Sequence, residues 1–162
     1  MKNRQHSTFN IQHSTLKGWV LEERSGRTYD LEDRLLEFAA AVIELSENLP
    51  ANRAGNHVAG QILRSGTAAY PNHGEAEAAE SRDDFIHKLK ICLKELRETR
   101  RWARLVHRMR WVNEGSALAK VLNESDQLVR IFHSSIQTAR QNAAVRKQKS
   151  PSPTCHPNIE GN

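Results

Sequence analysis

The chain has 162 residues, of which 38% are hydrophobic and 27% charged, the balance of one globular domain long enough to bury a core. No apolar run approaches the roughly 20 residues that cross a bilayer, and residues 1–29 lack the apolar block and small-residue cleavage site of a secretory signal, so no membrane partner and a cytoplasmic location are expected. The net charge of +5 belongs to the ends: residues 1–29 carry five basic and two acidic groups, residues 143–162 three and one, and residues 30–142 sixteen of each.

The N-terminal stretch QHSTFNIQHSTLKG repeats QHST at an interval of seven. It has neither helical nor strand periodicity, which reads as a disordered extension or as translated flanking DNA. The first helix is predicted from Asp30 to about Asn48, where Leu31, Leu35, Phe38, Val42, Leu45 and Leu49 recur at steps of 4, 3, 4, 3 and 4, the stripe of a bundle helix. Thr28 or Asp30 is the cap candidate, and Leu49-Pro50 ends the segment.

The second helix starts at Arg53 or Asn56 and runs to about Ala79, with Val58, Ile62, Ser65 and Ala69 on one face. Its SGTAA centre (65–69) is small enough for a neighbouring helix to come close. Tyr70-Pro71 predicts a kink or a split, because proline lacks the N–H and clashes with the preceding turn. The third helix opens at Ser81, an N-cap with Asp84 three residues on, and runs to about Met109 as the longest of the four. The fourth, capped by Ser116, carries Leu118, Val121, Leu122, Ser125, Leu128, Val129, Phe132, Ile136 and Ala139 to about Gln141. Four such segments with short connections predict an all-α, up-down-up-down antiparallel four-helix bundle over 30–142, followed by a Pro-rich basic tail over 143–162. Cys92 inside the bundle and Cys155 in that tail are expected to be free thiols.

Four stretches, DLEDRLLEFA (30–39), QILRSGTAA (61–69), EAEAAESRDDFIHKLKICLKELRETRRWARL (75–105) and LNESDQLVRI (122–131), together resemble the bacterial four-helix-bundle family first named for reading frames inside intervening sequences of 23S ribosomal RNA genes. The resemblance covers Asp30 to about Asn142 and departs mainly at Pro71, where the family usually has a small helix-former. It implies a helical bundle that assembles into homo-oligomeric rings, most often pentamers, without established enzymatic activity. Its more distant relatives are accessory proteins of retroelement reverse transcriptases and bind nucleic acid through basic ring surfaces.

Plotted at about 100° per residue, helix three puts Phe85, Leu89, Cys92, Leu96, Thr99, Ala103 and Val106 on its core arc. On the opposite arc stand Lys90, Lys94, Arg97, Arg101, Arg104 and Arg108, a stripe about 27 Å long at a rise of about 1.5 Å per residue. Five like-charged neighbour pairs at about 0.2–0.5 kcal/mol each cost around 1–2.5 kcal/mol, which points to an anionic partner. Two partners stay open: the phosphates of RNA or DNA, or a neighbouring subunit's acidic edge of Glu75, Glu77, Glu80, Asp83 and Asp84. A third arc, Ile91, Trp102, Leu105 and Met109 beside Glu95 and Glu98, reads as an oligomer contact or as a widening of the core.

Signals for chemistry are sparse. No histidine, cysteine and carboxylate set has metal-ligand spacing, and no glycine-rich phosphate loop is present, so neither a metal, a cofactor nor a small-molecule substrate is expected. His107 falls at the edge of the core arc and reads as a packed histidine. Tyr70, His73 and Glu75 are the single place where acid–base chemistry is worth seeking. The expected function is that of a non-enzymatic homo-oligomer that binds nucleic-acid backbone through the stripe, or of a purely structural oligomer whose stripe is answered from within.

Overall fold

The computed structural model describes residues 31–113 and 117–149, the side chains as far as residue 142. Its elements are α1 (Leu31–Glu47), α2 (Arg53–Glu77), α3 (Arg82–Met109) and α4 (Ala117–Lys149). Packing runs in a closed cycle, α1 on α2, α2 on α3, α3 on α4 and α4 back on α1, so α1 and α3 are diagonal partners whose backbones do not come close. The contacts Glu75–Lys88, Ala69–Cys92 and Ser65–Thr99 occur in opposite order along α2 and α3, which fixes those helices as antiparallel. The architecture is the predicted all-α four-helix bundle.

The stripes read from the sequence form its centre. Leu35, Phe38, Val42 and Leu45 of α1 meet Ile62 and Ala69 of α2, Leu96, Ala103 and Val106 of α3, and Val121, Leu128 and Phe132 of α4, all buried. The small centre of α2 performs as expected. A Cβ added at Gly66 would lie 2.4 Å from Val42 Cγ1 and 2.7 Å from Cγ2, so the backbone of α2 rests directly on a valine of α1. Beside it the Thr99 hydroxyl donates to Ser65 Oγ (2.9 Å), and Ser65 Oγ to the Gln61 carbonyl (3.0 Å), which satisfies two polar groups inside the core.

The helix ends are capped by short-range chemistry. Asn52 Oδ1 accepts from Gly55 N at 2.9 Å to start α2, and Ser81 Oγ accepts from Asp84 N at 3.1 Å to start α3, as predicted. The α3 terminus is a Schellman turn, with Trp111 N donating to the Val106 carbonyl and Arg110 N to that of His107. Arg110 occupies the left-handed position at φ 54°, where glycine is usual. The candidate caps Thr28, Asp30 and Ser116, the extension 1–29 and residues 150–162 lie outside the described residues.

Three expectations are corrected. First, of the kink or split expected at Tyr70-Pro71 the split is not made: α2 is one helix through Pro71. The carbonyls around the proline find side-chain donors: Asn72 Nδ2 donates to the Ala68 carbonyl at 2.7 Å and Cys92 Sγ lies 3.6 Å from the Ala69 carbonyl, while Pro71 itself is exposed. Second, α4, with 33 residues, is longer than α3, with 28. Third, it continues past Gln141 to Lys149, into the stretch read as a tail. Ala143, Ala144, Arg146, Lys147, Gln148 and Lys149 are strong helix formers, and the first breaker is Pro151. The described helices include none long and apolar enough to cross a membrane.

Candidate nucleic-acid and subunit interface on helix three

The charged face of α3 exists because its other face is committed. Ile86, Leu89, Cys92, Leu93, Leu96, Thr99, Ala103 and Val106 are buried, which turns Lys90, Lys94, Arg97, Arg101, Arg104 and Arg108 outward, and all six are exposed. Lys94 Nζ stands 3.3 Å from Glu95 Oε1. The other five have no ion pair among the described residues. Neighbouring cations outside the stripe are answered within the chain: Arg100 by Asp126 at 2.8 Å and Lys88 by Glu75. The hydrogen bond from Lys88 to Glu75 holds its ammonium above the ordinary lysine range.

Those pairs bear on the acidic edge proposed for a neighbour. Glu75 is engaged by Lys88, and Glu77 lies 3.8 Å from His73 Nδ1. Of the five carboxylates, Glu75 therefore has a cationic partner within its own chain.

The third arc divides in two. Trp102 is half-buried against the core; its Nε1 donates to Glu98 Oε1 at 3.5 Å and its ring meets His57 edge-on at 6.0 Å. Ile91 is also half-buried. Leu105 and Met109 are open, at 40% and 50% exposure. Arg64 of α2 crosses to this arc, bonding Glu98 and reaching Glu95 Oε2 at 3.6 Å. Glu95 is 6% exposed, so the carboxylates that flank the seam are held by an arginine of the same chain. Lys94, Arg97, Glu98, Arg101, Trp102 and Leu105 line a shallow groove of ≈ 550 Å³ where stripe and seam meet.

Sequence reasoning missed Arg64 and the burial of Glu95. A carboxylate at this position looks solvated until the facing helix and its register are known.

The candidate acid–base group is dispersed. His73 is buried edge-on against Phe132 at 6.0 Å, whereas Glu75, two residues on and about 200° around the helix, is exposed and bonded to Lys88. His107 is exposed, not packed, because α3 is in its last turn there. Cys92 is a free buried thiol pushed up to about 12 by burial, a protonated group and a poor nucleophile. Among the described residues no three His, Cys, Asp or Glu side chains form a metal-binding group.

No curated protein matches the sequence. A crystal structure of a protein of unknown function from the S23 ribosomal protein family of Bacteroides thetaiotaomicron is similar to it at 37% identity and a TM-score of 0.59, over 65% of this chain and 96% of that one. The profile of the 23S rRNA-intervening sequence proteins matches residues 28–134, and the four-helix bundle carrying the α3 stripe thus belongs to the 23S rRNA-intervening sequence protein family.

Proposed function

We propose that the protein is a non-enzymatic, cytoplasmic homo-oligomer that binds the phosphate backbone of RNA or DNA through Lys90, Lys94, Arg97, Arg101, Arg104 and Arg108. One observation carries the reading: six exposed cations stand in line on one helix, and five of them have no carboxylate partner among the described residues while Lys88 and Arg100 beside them do. A like-charged row costs stability in isolation, and a polyanion turns that cost into affinity by counterion release. Arginine and lysine on an outward helix face reach phosphates and have no fixed relation to base edges, so the binding is weakly sequence-selective.

The test compares the full chain with Arg104→Gln/Arg108→Gln and with a variant in which all six cations become Gln, by fluorescence anisotropy on duplex DNA and on RNA at several salt concentrations. The tails are the same in every variant, so differences report the stripe. On duplex DNA each lost phosphate contact flattens the slope of log K against log salt by about 0.9, and the double variant by about 2 units, with unchanged sequence preference. A six-fold variant that binds like the unmodified protein overturns the proposal.

A further inference from the structure

The large exposed aliphatic side chains are not scattered. Leu105 and Met109 are on α3; Leu36 (46% exposed) and Ile43 (43%) are on α1, two turns apart on one face, and Leu63 (39%) is on α2. The Gly66–Val42 contact sets the register of α1 and α2 and places Leu63 near the level of the α1 turn that carries Ile43. The bundle therefore presents two separate apolar strips, on helices that are diagonal to each other, the first bordered by Leu63 of α2 and the second by His57 and Arg64 of the same helix.

The two strips differ in charge. Around Leu36 and Ile43 stand Glu32, Glu37, Glu44 and Glu47, all exposed and none in an ion pair among the described residues. Lys94, Arg97 and Arg101, exposed cations, line the groove that Trp102 and Leu105 share and continue the seam toward the start of α3. The shapes also correspond. Leu36, Ala40 and Ile43 span seven residues, as do Trp102, Leu105 and Met109, about 10.5 Å in each case. The small Ala40 leaves a hollow between two larger side chains, and Leu105 supplies a projecting one between Trp102 and Met109.

We propose that the outer face of α1 in one copy of this chain docks on the Trp102–Leu105–Met109 seam of a second copy, with Leu36 and Ile43 against Leu105 and Met109 at the centre and Glu37, Glu44 and Glu47 facing Lys94, Arg97 and Arg101 at the rim. An apolar centre with complementary rim charges is the usual anatomy of such a contact. Because the two faces are different and do not overlap, the contact is head-to-tail: every copy uses one face to accept and the other to dock. Lys90, Arg104 and Arg108 stand outside the groove and stay available to a polyanion. The inference rests on the self-association half of the proposed function and supplies its surfaces.

A head-to-tail contact has a signature no symmetric one shares. Ile43→Asp removes the α1 face and leaves the seam; Leu105→Asp does the reverse. Both positions are exposed, so helicity by circular dichroism is retained, and Leu36→Asp and Met109→Asp repeat the test one position away. In sedimentation velocity the unmodified chain runs as an oligomer and each variant alone as a monomer of 18.4 kDa, while an equimolar mixture of the two yields a complex of twice that mass through its one intact contact. An unmodified chain that is monomeric at micromolar concentration, a variant that stays fully assembled, or a mixture that stays monomeric overturns the proposal. RNA binding separates this outcome from the other reading. Ile43→Asp leaves every stripe cation in place, so a chain that stays assembled with Ile43→Asp but loses RNA affinity with Arg104→Gln/Arg108→Gln refutes the docking and leaves phosphate binding intact.

Discussion

Gly66→Ala and Gly60→Ala make the same chemical change on the same helix and are expected to have opposite effects. A Cβ at Gly60 meets nothing within 4 Å, so Gly60→Ala gains the helix-propensity difference, about 0.8–1 kcal/mol. A Cβ at Gly66 arrives 2.4 Å and 2.7 Å from the two methyls of Val42 and 3.0 Å from its Cβ. Val42 is wholly buried, and a β-branched side chain in a helix has one strongly preferred rotamer, so the methyls cannot swing clear and the helices must separate. Overpacking of this kind costs about 1–3 kcal/mol. Contact with two methyls at once puts Gly66→Ala near the upper end, and after the propensity gain the net loss is about 2 kcal/mol. Urea unfolding of the full chain measures both. Val42→Ala supplies the control: it creates a cavity in the unmodified protein, yet it makes room for the new methyl, so the double variant is expected to be less destabilised than the sum of the singles by about 1–2 kcal/mol. Equal signs at Gly60 and Gly66, or strict additivity between Gly66→Ala and Val42→Ala, would refute the close contact of α2 with α1.

Two further outcomes follow from local features. Arg110 holds a left-handed conformation at φ 54°, a cost of roughly 1–2 kcal/mol for a residue with a Cβ; Arg110→Gly removes it, forfeits a favourable cation at a helix C-terminus worth about 0.3–1 kcal/mol, and is expected to raise stability by about 0.5–1 kcal/mol in urea unfolding, with a loss of stability counting against the turn geometry. Burial raises the Cys92 thiol from 9.0 to about 12, so the stability that this protonated group contributes is complete below pH 9 and is lost as pH rises from 9 toward 12. Cys92→Ala should flatten the alkaline fall in stability, and peptide mapping should find Cys92 resistant to iodoacetamide at pH 8 until urea is added; labelling as fast as in urea would place the thiol outside the core.

What the sequence disclosed and what it concealed divide by the range of the interaction. The stripe from Leu35 to Leu49, the Ser81 cap and the outward row from Lys90 to Arg108 depend on residues three and four apart, and spacing alone places them correctly. Pro71 could not be judged that way. Its local effect is helix-breaking, but Asn72 covers the Ala68 carbonyl and a thiol from another helix approaches that of Ala69. The length of α4 was hidden for a different reason, since beyond Ala139 the helix continues on propensity without an apolar pattern to mark it. At the candidate site the same division decides the chemistry. The stripe was legible as a row of charges, but whether those charges are answered depends on Arg64 taking Glu98 and reaching Glu95, and on Lys88 taking Glu75. These pairings remove three nearby carboxylates from any contact between copies. Among the described residues, the acidic groups without an ion pair beside exposed aliphatic side chains are Glu32, Glu37, Glu44 and Glu47 of α1, the helix diagonal to the stripe. An acidic face on the diagonal helix does not pair with the stripe of its own chain, so it can reach a stripe only in another copy, and any cation that such a contact leaves outside the groove must find its counter-charge in a polyanion or in salt.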